Sequence, residues 1–395
     1  MAKAQAQTPP DDLARIRKML NDSMGKKGGE PFMLASDEID ADIVGYVSTG
    51  STELDARLGA GNVLGGIPLG RITEIYGPPS HGKSTFLCSV LASAQHGAVK
   101  RIRWTRTPEG AYIPEVTHPA TRRVCTLMID TEGTYDKARG ARMGVDAEKM
   151  IYLDMREMPD LESVFTAIEN SLKSFGDMNA ELPVEDRTVL VIGFDTIAAT
   201  LTAAELDDKA GITQKPRVVA HWLKRLNPLL ARAECALIVL NQITQKIGSP
   251  GGGYDSSGGH AFHHFATFRL DVRRVGRLEG VDPETGILSR VTPIKAKATA
   301  PNFTTTLAIL DNYGYSDALT VFNTLTNPAV WPDGKAPIEN RGGWMKLTVA
   351  GQERSFRAVA WPSMFQQDAE LRRYARQLVV DMIHKSRGVV PATVE

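Results

Sequence analysis

Cysteine is scarce: the 395-residue chain has three, Cys88, Cys125 and Cys235. The number is odd, the positions are far apart and each lies in an apolar run. Neither a disulfide framework nor a zinc site is expected, and the three read as small core residues. Long apolar runs are missing too. No stretch reaches the ~18 residues that span a bilayer. The N-terminus shows no apolar segment ahead of a small-residue cleavage site. Membrane insertion and secretion are therefore not expected, and the cytoplasm is. An excess of one charge is also lacking, since 46 Lys+Arg balance 46 Asp+Glu, with 8 His beside them. That balance excludes a uniformly basic, histone-like protein but leaves room for a local basic face. What is present is ordinary: 42% hydrophobic and 23% charged residues can build a large core and exclude global disorder. The length fits two domains at roughly 150 residues each.

The first ten residues are rich in Ala, Gln and Pro. Asp11 and Asp12 then precede Leu13, Ile16, Met19 and Leu20, spaced as one face of a helix, with Gly28 and Gly29 beyond its end. So short a helix cannot bury its stripe alone and needs the main domain or a neighbouring molecule. From about Ser48 to Ser316, short β-rich runs alternate with helical stretches, the pattern of an α/β domain with a mostly parallel sheet. Strands are expected over Arg71 to Tyr76, Val124 to Asp130, Met150 to Leu153, Thr188 to Phe194, Ala236 to Asn241 and Thr267 to Val272. Several end in, or just before, a polar residue: Asp130, Asp195, Asn241. In doubly wound sheets ligands sit beyond the carboxyl ends of the strands, so the repetition marks one shared site, although any one of these residues alone would read as a turn former.

Two segments interrupt the alternation. Gly248 to Gly259 is rich in glycine and serine and follows a strand end directly, too flexible for one conformation without a partner. Residues 97–123 carry Lys100, Arg101, Arg103, Trp104, Arg106, Tyr112, Arg122 and Arg123 among three prolines. A solvated surface hairpin is expected there ahead of a nucleic-acid contact. After about Asp317 a small α+β module is expected, with a hairpin of Trp344 to Val349 and Arg354 to Ala360 around Gly351 and an amphipathic helix over Asp368 to His384. The chain divides as 1–47, 48–316 and 317–395.

The sharpest feature is Gly77-Pro78-Pro79-Ser80-His81-Gly82-Lys83-Ser84-Thr85, a match to G-x-x-x-x-G-K-[ST] between a strand and a helix over Ser84 to Gln95. Its glycines let backbone N–H groups turn toward phosphate oxygens, and the helix N-terminus adds a favourable dipole. Lys83 would neutralise β and γ phosphates, and the Ser84 hydroxyl would ligate magnesium. Hydrolysis also needs a carboxylate that orients the metal and a group that positions water. Thr188 to Asp195 is an apolar strand ending in an acid, the Walker B arrangement, so Asp195 is expected in the magnesium shell. Glu132, just past the strand that ends at Asp130, is placed to aim a carboxylate at a water in line with the γ phosphate.

These motifs, with Ser48-Thr49-Gly50-Ser51, Asp130-Thr131-Glu132, Asn241-Gln242-Ile243, Ser257-Gly258-Gly259, Arg269-Leu270-Asp271-Val272-Arg273-Arg274 and Lys295-Ala296-Lys297, fall in the order and spacing of RecA-type DNA recombinases. The resemblance covers about residues 45 to 390 and includes the module after Asp317, which looks like the bacterial RecA C-terminal domain. It implies a P-loop NTPase of RecA-like fold, an α/β core with a mostly parallel sheet, an N-terminal helix and a small α+β C-terminal domain. It implies ATP and Mg2+ as cofactors, single-stranded DNA and a second, double-stranded DNA as partners, and a homo-oligomeric helical filament with no membrane. Glu132 resembles the family's catalytic carboxylate and Gln242 its γ-phosphate sensor. Asp136 and Arg139 fall at the nucleotide, Arg139 where bacterial members stack a tyrosine on adenine. Glu205 to Pro216 and Ile243 to Gly258 correspond to two DNA-binding loops. Lys295 and Lys297, two apart on an expected strand and so on one face, resemble the pair that reaches the ATP of an adjacent subunit, as an arginine finger does.

Candidate DNA contacts are Arg217, Lys224 and Arg225 on one face of the helix after the first loop, Lys246 in the second, and Arg269, Arg273, Arg274 and Arg290. By resemblance, Arg274 and Arg290 line the groove for the duplex partner. Several positions depart from the family pattern: Thr292 in place of a lysine, Arg139 in place of the tyrosine, His264 in place of a phenylalanine, a longer 97–123 segment, and a C-terminus without an acidic tail. They point to an atypical or phage-encoded member. The reading is a DNA-dependent ATPase acting in homologous recombination and repair. The alternatives are a hexameric helicase-like motor and a nucleotide-gated ATPase with no DNA partner.

Overall fold

A computed structural model of the chain describes residues 10–23, 43–61, 63–108, 112–117, 123–207, 214–245, 254–256, 260–278, 285–299, 303–311 and 313–388. Two compact units separate at Asp42 and Ile43. In the first, Pro10–Ser23 is a helix on which Leu13, Ile16, Met19 and Leu20 are exposed. The second, from Ile43 to Glu395, contains everything described below.

Its centre is a ten-stranded sheet. Six strands run parallel, in the order Phe268–Arg277, Arg71–Gly77, Cys235–Gln245, Val189–Asp195, Val124–Asp130 and Met150–Leu153. Beyond Phe268–Arg277 the sheet continues antiparallel through Gly286–Ala296, Thr305–Leu310 and Gly314–Tyr315. The expected parallel strands are all there. Beyond the stretch at Lys295, already expected as strand, the antiparallel extension is an addition to that expectation, and so is Tyr254–Ser256, which folds back on Ile243–Gln245 as a short ribbon.

The central strands are apolar throughout because both faces are covered, as parallel sheets require. Alternation assigns the faces. Val189, Val191, Ala236, Ile238 and Leu240 pack with the P-loop helix Lys83–Gln95, while Leu190, Ile192, Phe194, Leu237 and Val239 pack with Leu161–Ala180 and Gln214–Arg232. Asp160 caps Leu161–Ala180, accepting from the Ser163 N–H at 2.7 Å, and the helix buries Leu161, Val164, Phe165, Ile168 and Leu172 at i+3/i+4 spacing. Gly193 marks a close approach: a Cβ there would lie 2.6 Å from the Leu87 side chain of the P-loop helix. The helix therefore seats directly on the strand that ends at Asp195.

A second, antiparallel sheet orders Ile67–Pro68, Gly45–Val47, Val99–Arg106 and Tyr112–Thr117. The segment 97–123 is thus built on a hairpin, with its inner strand paired to Gly45–Val47. Residues 317–388 form helix Asp317–Thr326, a three-stranded sheet of Glu339–Arg341, Trp344–Val349 and Gln352–Phe356, and helices Trp361–Gln367 and Ala369–Ser386. Trp361, fully buried, stacks obliquely among Phe322, Phe356 and Phe365 and donates its indole N–H to the Ala318 carbonyl at 2.7 Å. Ala56 of helix Thr52–Leu58 joins this core, and the Thr52 N–H donates to Asp317 at 2.7 Å. Among the described residues no helix is long and apolar enough to cross a membrane.

Candidate functional site

The carboxyl ends of four adjacent parallel strands converge, and register sets their level. Gly77 lies opposite Gln242, and Asp130 opposite Asp195. Between them the loop Gly77 to Gly82 turns into the P-loop helix. Gly82 has φ +98° and Ser80 φ +61°, left-handed conformations that turn successive N–H groups toward one point. Gly77 abuts the neighbouring strand, where a Cβ would lie 2.2 Å from the Val272 carbonyl. The Ser289 hydroxyl donates to the His81 carbonyl at 2.7 Å, and the Arg274 N–H donates to His81 Nδ1 at 3.2 Å, so the antiparallel extension buttresses the loop.

Lys83 Nζ donates to the Gly77 carbonyl at 3.0 Å and the Pro78 carbonyl at 2.8 Å. Burial lowers its pKa, against the opposing pull of Asp195 and Glu132. The Ser84 hydroxyl donates to Asp195 at 2.7 Å. Burial pushes Asp195 up to about 6, with Ser84 and Lys83 acting in the other direction and Glu132 and Asp130 adding to it. Asp130 accepts from the Tyr135 N–H at 2.7 Å and from the Tyr152 hydroxyl, while its other oxygen is buried without a partner. The donor set fits a phosphate-bound divalent cation: a hydroxyl and a carboxylate in contact, a nearby acid with a free oxygen, and an ammonium resting on carbonyls that phosphate oxygens would replace.

Glu132 and Gln242 meet, the Gln242 amide donating to Glu132 at 2.9 Å. Thr131 ties the two flanking strands, its hydroxyl donating to the Thr196 carbonyl at 2.8 Å. On the other side, Ser84, Thr85, Cys88, Tyr135, Asp136, Arg139, Met143 and Asp195 line a small pocket. Arg139 donates to the Thr85 hydroxyl at 3.1 Å. Asp136 caps the helix Lys137–Arg142, and the N–H bonds it accepts hold its carboxyl below the usual range. Tyr135 was not singled out from sequence. Its signal, an aromatic three residues past Glu132, becomes visible only once the pocket exists. Cys88 is an inert wall, its thiol raised to about 11 by burial.

The lysine pair is brought together as expected. Lys295 Nζ donates to the His263 and His264 carbonyls and Lys297 Nζ to the His264 carbonyl. Burial, then Lys297 and Arg269, lower Lys295 to about 8. The antiparallel sense of its strand sets Lys295 opposite Arg269, and Arg269 opposite Glu74. Lys295 is therefore level with the middle of the P-loop strand Arg71–Gly77, with the strand Phe268–Arg277 between them.

The basic candidates divide. Arg217, Lys224, Arg274 and Arg290 are exposed, and Arg273 pairs with Asp271 at 2.6 Å. Arg225, though partly exposed, is held by Glu169 at 2.7 Å and lies over the Trp222 ring. Arg269 is a correction. Expected at DNA, it is 1% exposed, paired with the fully buried Glu74 and bonded to the His263 ring. Glu74 also accepts from Asn241 at 2.9 Å, so a central-strand acid 195 residues away consumes this arginine. Lys246 lies outside the described residues, as do most of the two expected DNA loops.

The model of the RecA N-terminal domain matches residues 14–102 and 115–316. The chain belongs to the RecA family. Curated relatives named Protein RecA agree over most of its length: 28% identity to that of Nitratidesulfovibrio vulgaris strain DP4, over 87% of this chain and 83% of the relative; 26% to that of Chlorobaculum tepidum, over 97% of each; and 30% to that of Gluconacetobacter polyoxogenes, over 75% and 74%. Membership accounts for the RecA-like core and gives the chain a recombination and repair role. The match also isolates residues 103–114, which fall in its gap.

Proposed function

We propose that the chain is an ATP-dependent recombinase, acting in the cytoplasm, that polymerises on single-stranded DNA, aligns it with a homologous duplex and exchanges strands. One observation carries the reading: the amide of Gln242 holds Glu132 beside the P-loop, and Gln242 leads directly into the glycine-rich segment.

The chemistry follows from the chain's own groups. The Gly77 to Thr85 loop binds the phosphates, with Lys83 exchanging its carbonyl partners for β and γ oxygens. Asp136 and Arg139 face the base. Ser84 and Asp195 would hold Mg2+, which when bound offsets charge on the β and γ oxygens. Gln242 turns its amide to the γ phosphate and releases Glu132. The freed carboxylate accepts a proton from a water whose oxygen attacks the γ phosphorus, while the bond to the β-phosphate oxygen breaks to leave ADP and phosphate. The same rotation of Gln242 pulls on the segment after it, so the nucleotide state is transmitted to DNA grip. Arg217, Lys224, Lys246, Arg273, Arg274 and Arg290 would meet DNA phosphates, a sequence-tolerant and salt-sensitive contact. Lys295 and Lys297 complete the site of a neighbouring subunit, which makes turnover depend on assembly.

Electron microscopy with single-stranded DNA and a slowly hydrolysed ATP analogue tests this. Helical filaments are expected. Closed rings would favour a helicase-like motor instead, and particles indifferent to DNA a nucleotide-gated ATPase.

A further inference from the structure

The hairpin of Val99–Arg106 and Tyr112–Thr117 contains the residues that the family match skips. We propose that this hairpin is an accessory binding surface for single-stranded nucleic acid, separate from the loops after Leu206 and Gln242.

Register pairs Ile102 with Val116, Trp104 with Pro114, and Arg106 with Tyr112, so these side chains share one face of the ribbon. At its base Ile102 and Val116 pack with Tyr46 and Val63, which anchors the hairpin on the core. Toward the tip the face opens: Trp104 is half-buried, Arg106 is exposed and Tyr112 is 44% exposed. Arg103 projects, exposed, from the opposite face. Among the described residues, neither the Arg103 nor the Arg106 side chain has a hydrogen-bond or ion-pair partner, whereas Arg101 is consumed by Glu234 at 3.1 Å. Within 97–123 there are six Lys+Arg against two Glu, in a chain whose charges balance as a whole.

That combination selects the occupant. Aromatic faces beside unpaired guanidinium groups suit bases that stack and phosphates that pair, and only a single strand offers its bases freely. Addition of a protein strand is disfavoured, because Tyr112–Thr117 is the sheet's edge strand and Pro114, lacking an N–H, interrupts it beside the charge of Glu115. The position separates this surface from the nucleotide-controlled one. The hairpin begins past the far end of the 13-residue P-loop helix, about 20 Å from the loop itself. Binding here is therefore independent of ATP.

Photocrosslinking of the full chain to oligo(dT) carrying 5-iodouracil, with peptide mapping, tests this. An adduct at Tyr112 or Trp104 is expected with and without ATP. The double change Arg103→Glu and Arg106→Glu should cut its yield about tenfold, as should Tyr112→Ala for loss of a stacking platform, with ATP hydrolysis as the check that these surface variants are folded. Unlabelled single strands should compete and a duplex should not. The proposal is overturned by absence of adducts over 99–117, by adducts indifferent to all three changes, or by a duplex that competes equally well. Adducts confined to 205–216 and 243–258 would overturn it while leaving the recombinase reading intact. Adducts at the hairpin with none at those loops would do the reverse.

Discussion

The Gln242 amide donates to Glu132 at 2.9 Å, and the proposed mechanism requires this bond to open before either residue acts on a phosphate. Glu132→Gln keeps the shape and removes the base. Nucleotide binding should persist while kcat falls by about 10²- to 10⁴-fold, read by equilibrium binding beside steady-state turnover; equal loss of both would assign Glu132 to binding. Arg269 makes a different claim, since its guanidinium is buried and paired with the buried Glu74. Arg269→Ala should lower stability by about 3–5 kcal/mol by leaving a buried carboxylate unpaired, and an unchanged denaturation midpoint would contradict that burial. Asp55 adds a pH dependence. It accepts from the Thr49 N–H at 2.8 Å and the Thr49 hydroxyl at 2.7 Å, yet burial outweighs these bonds and raises it to about 6. The native carboxyl keeps a proton that the unfolded chain releases near the ordinary carboxylate value. Stability should therefore fall as pH rises from about 4 to about 6 and then level off, by up to about 3 kcal/mol from this group. Asp195 contributes with the same sign. Asp55→Asn should flatten the slope in denaturation curves across that range, and an unchanged slope would remove Asp55 as its source.

At the scale of elements, the site depends on where one helix sits. Gly193 lets the P-loop helix touch the strand that ends at Asp195, with Leu87 filling the space of its absent side chain. Gly193→Ala should cost about 1–3 kcal/mol through overpacking and weaken nucleotide binding by shifting Ser84 from Asp195. Calorimetric titration with a nonhydrolysable ATP analogue reads the second effect, and full affinity in a destabilised variant would show that the two are uncoupled. The element pattern was legible where it was periodic. Each expected parallel strand formed within a few residues because its apolar run is bounded by turn residues on both sides. Of the antiparallel extension only the stretch carrying Lys295 was read as a strand; the rest of Gly286–Ala296 and its neighbours carried no such mark, because their pairing partners are not local. Residues 97–123 read correctly as a hairpin, but the pairing of its inner strand with Gly45–Val47 joins segments more than 50 residues apart and leaves no local mark.

At the scale of the whole molecule, the role proposed for the lysine pair depends on a neighbouring copy of the chain. Lys297→Ala should bind ATP nearly normally and lose DNA-stimulated turnover. Normal stimulated turnover in that variant would place the composite site elsewhere. Lys297 is exposed and its ammonium donates to the His264 carbonyl, a partner that water can replace, so folding should be unaffected.

The sequence by itself determined the phosphate loop, the Walker B strand and the approximate places of Glu132 and Gln242. Those placements rest on backbone conformation and on strand ends, which short local motifs encode. Only the tertiary structure decided which charges remain available. Arg269 and Arg273 stand four residues apart in one basic run, yet one is sealed against Glu74 in the sheet and the other lies near the surface beside Asp271. The balance of 46 against 46 could not tell them apart, because burial and pairing are properties of residues that meet across the fold.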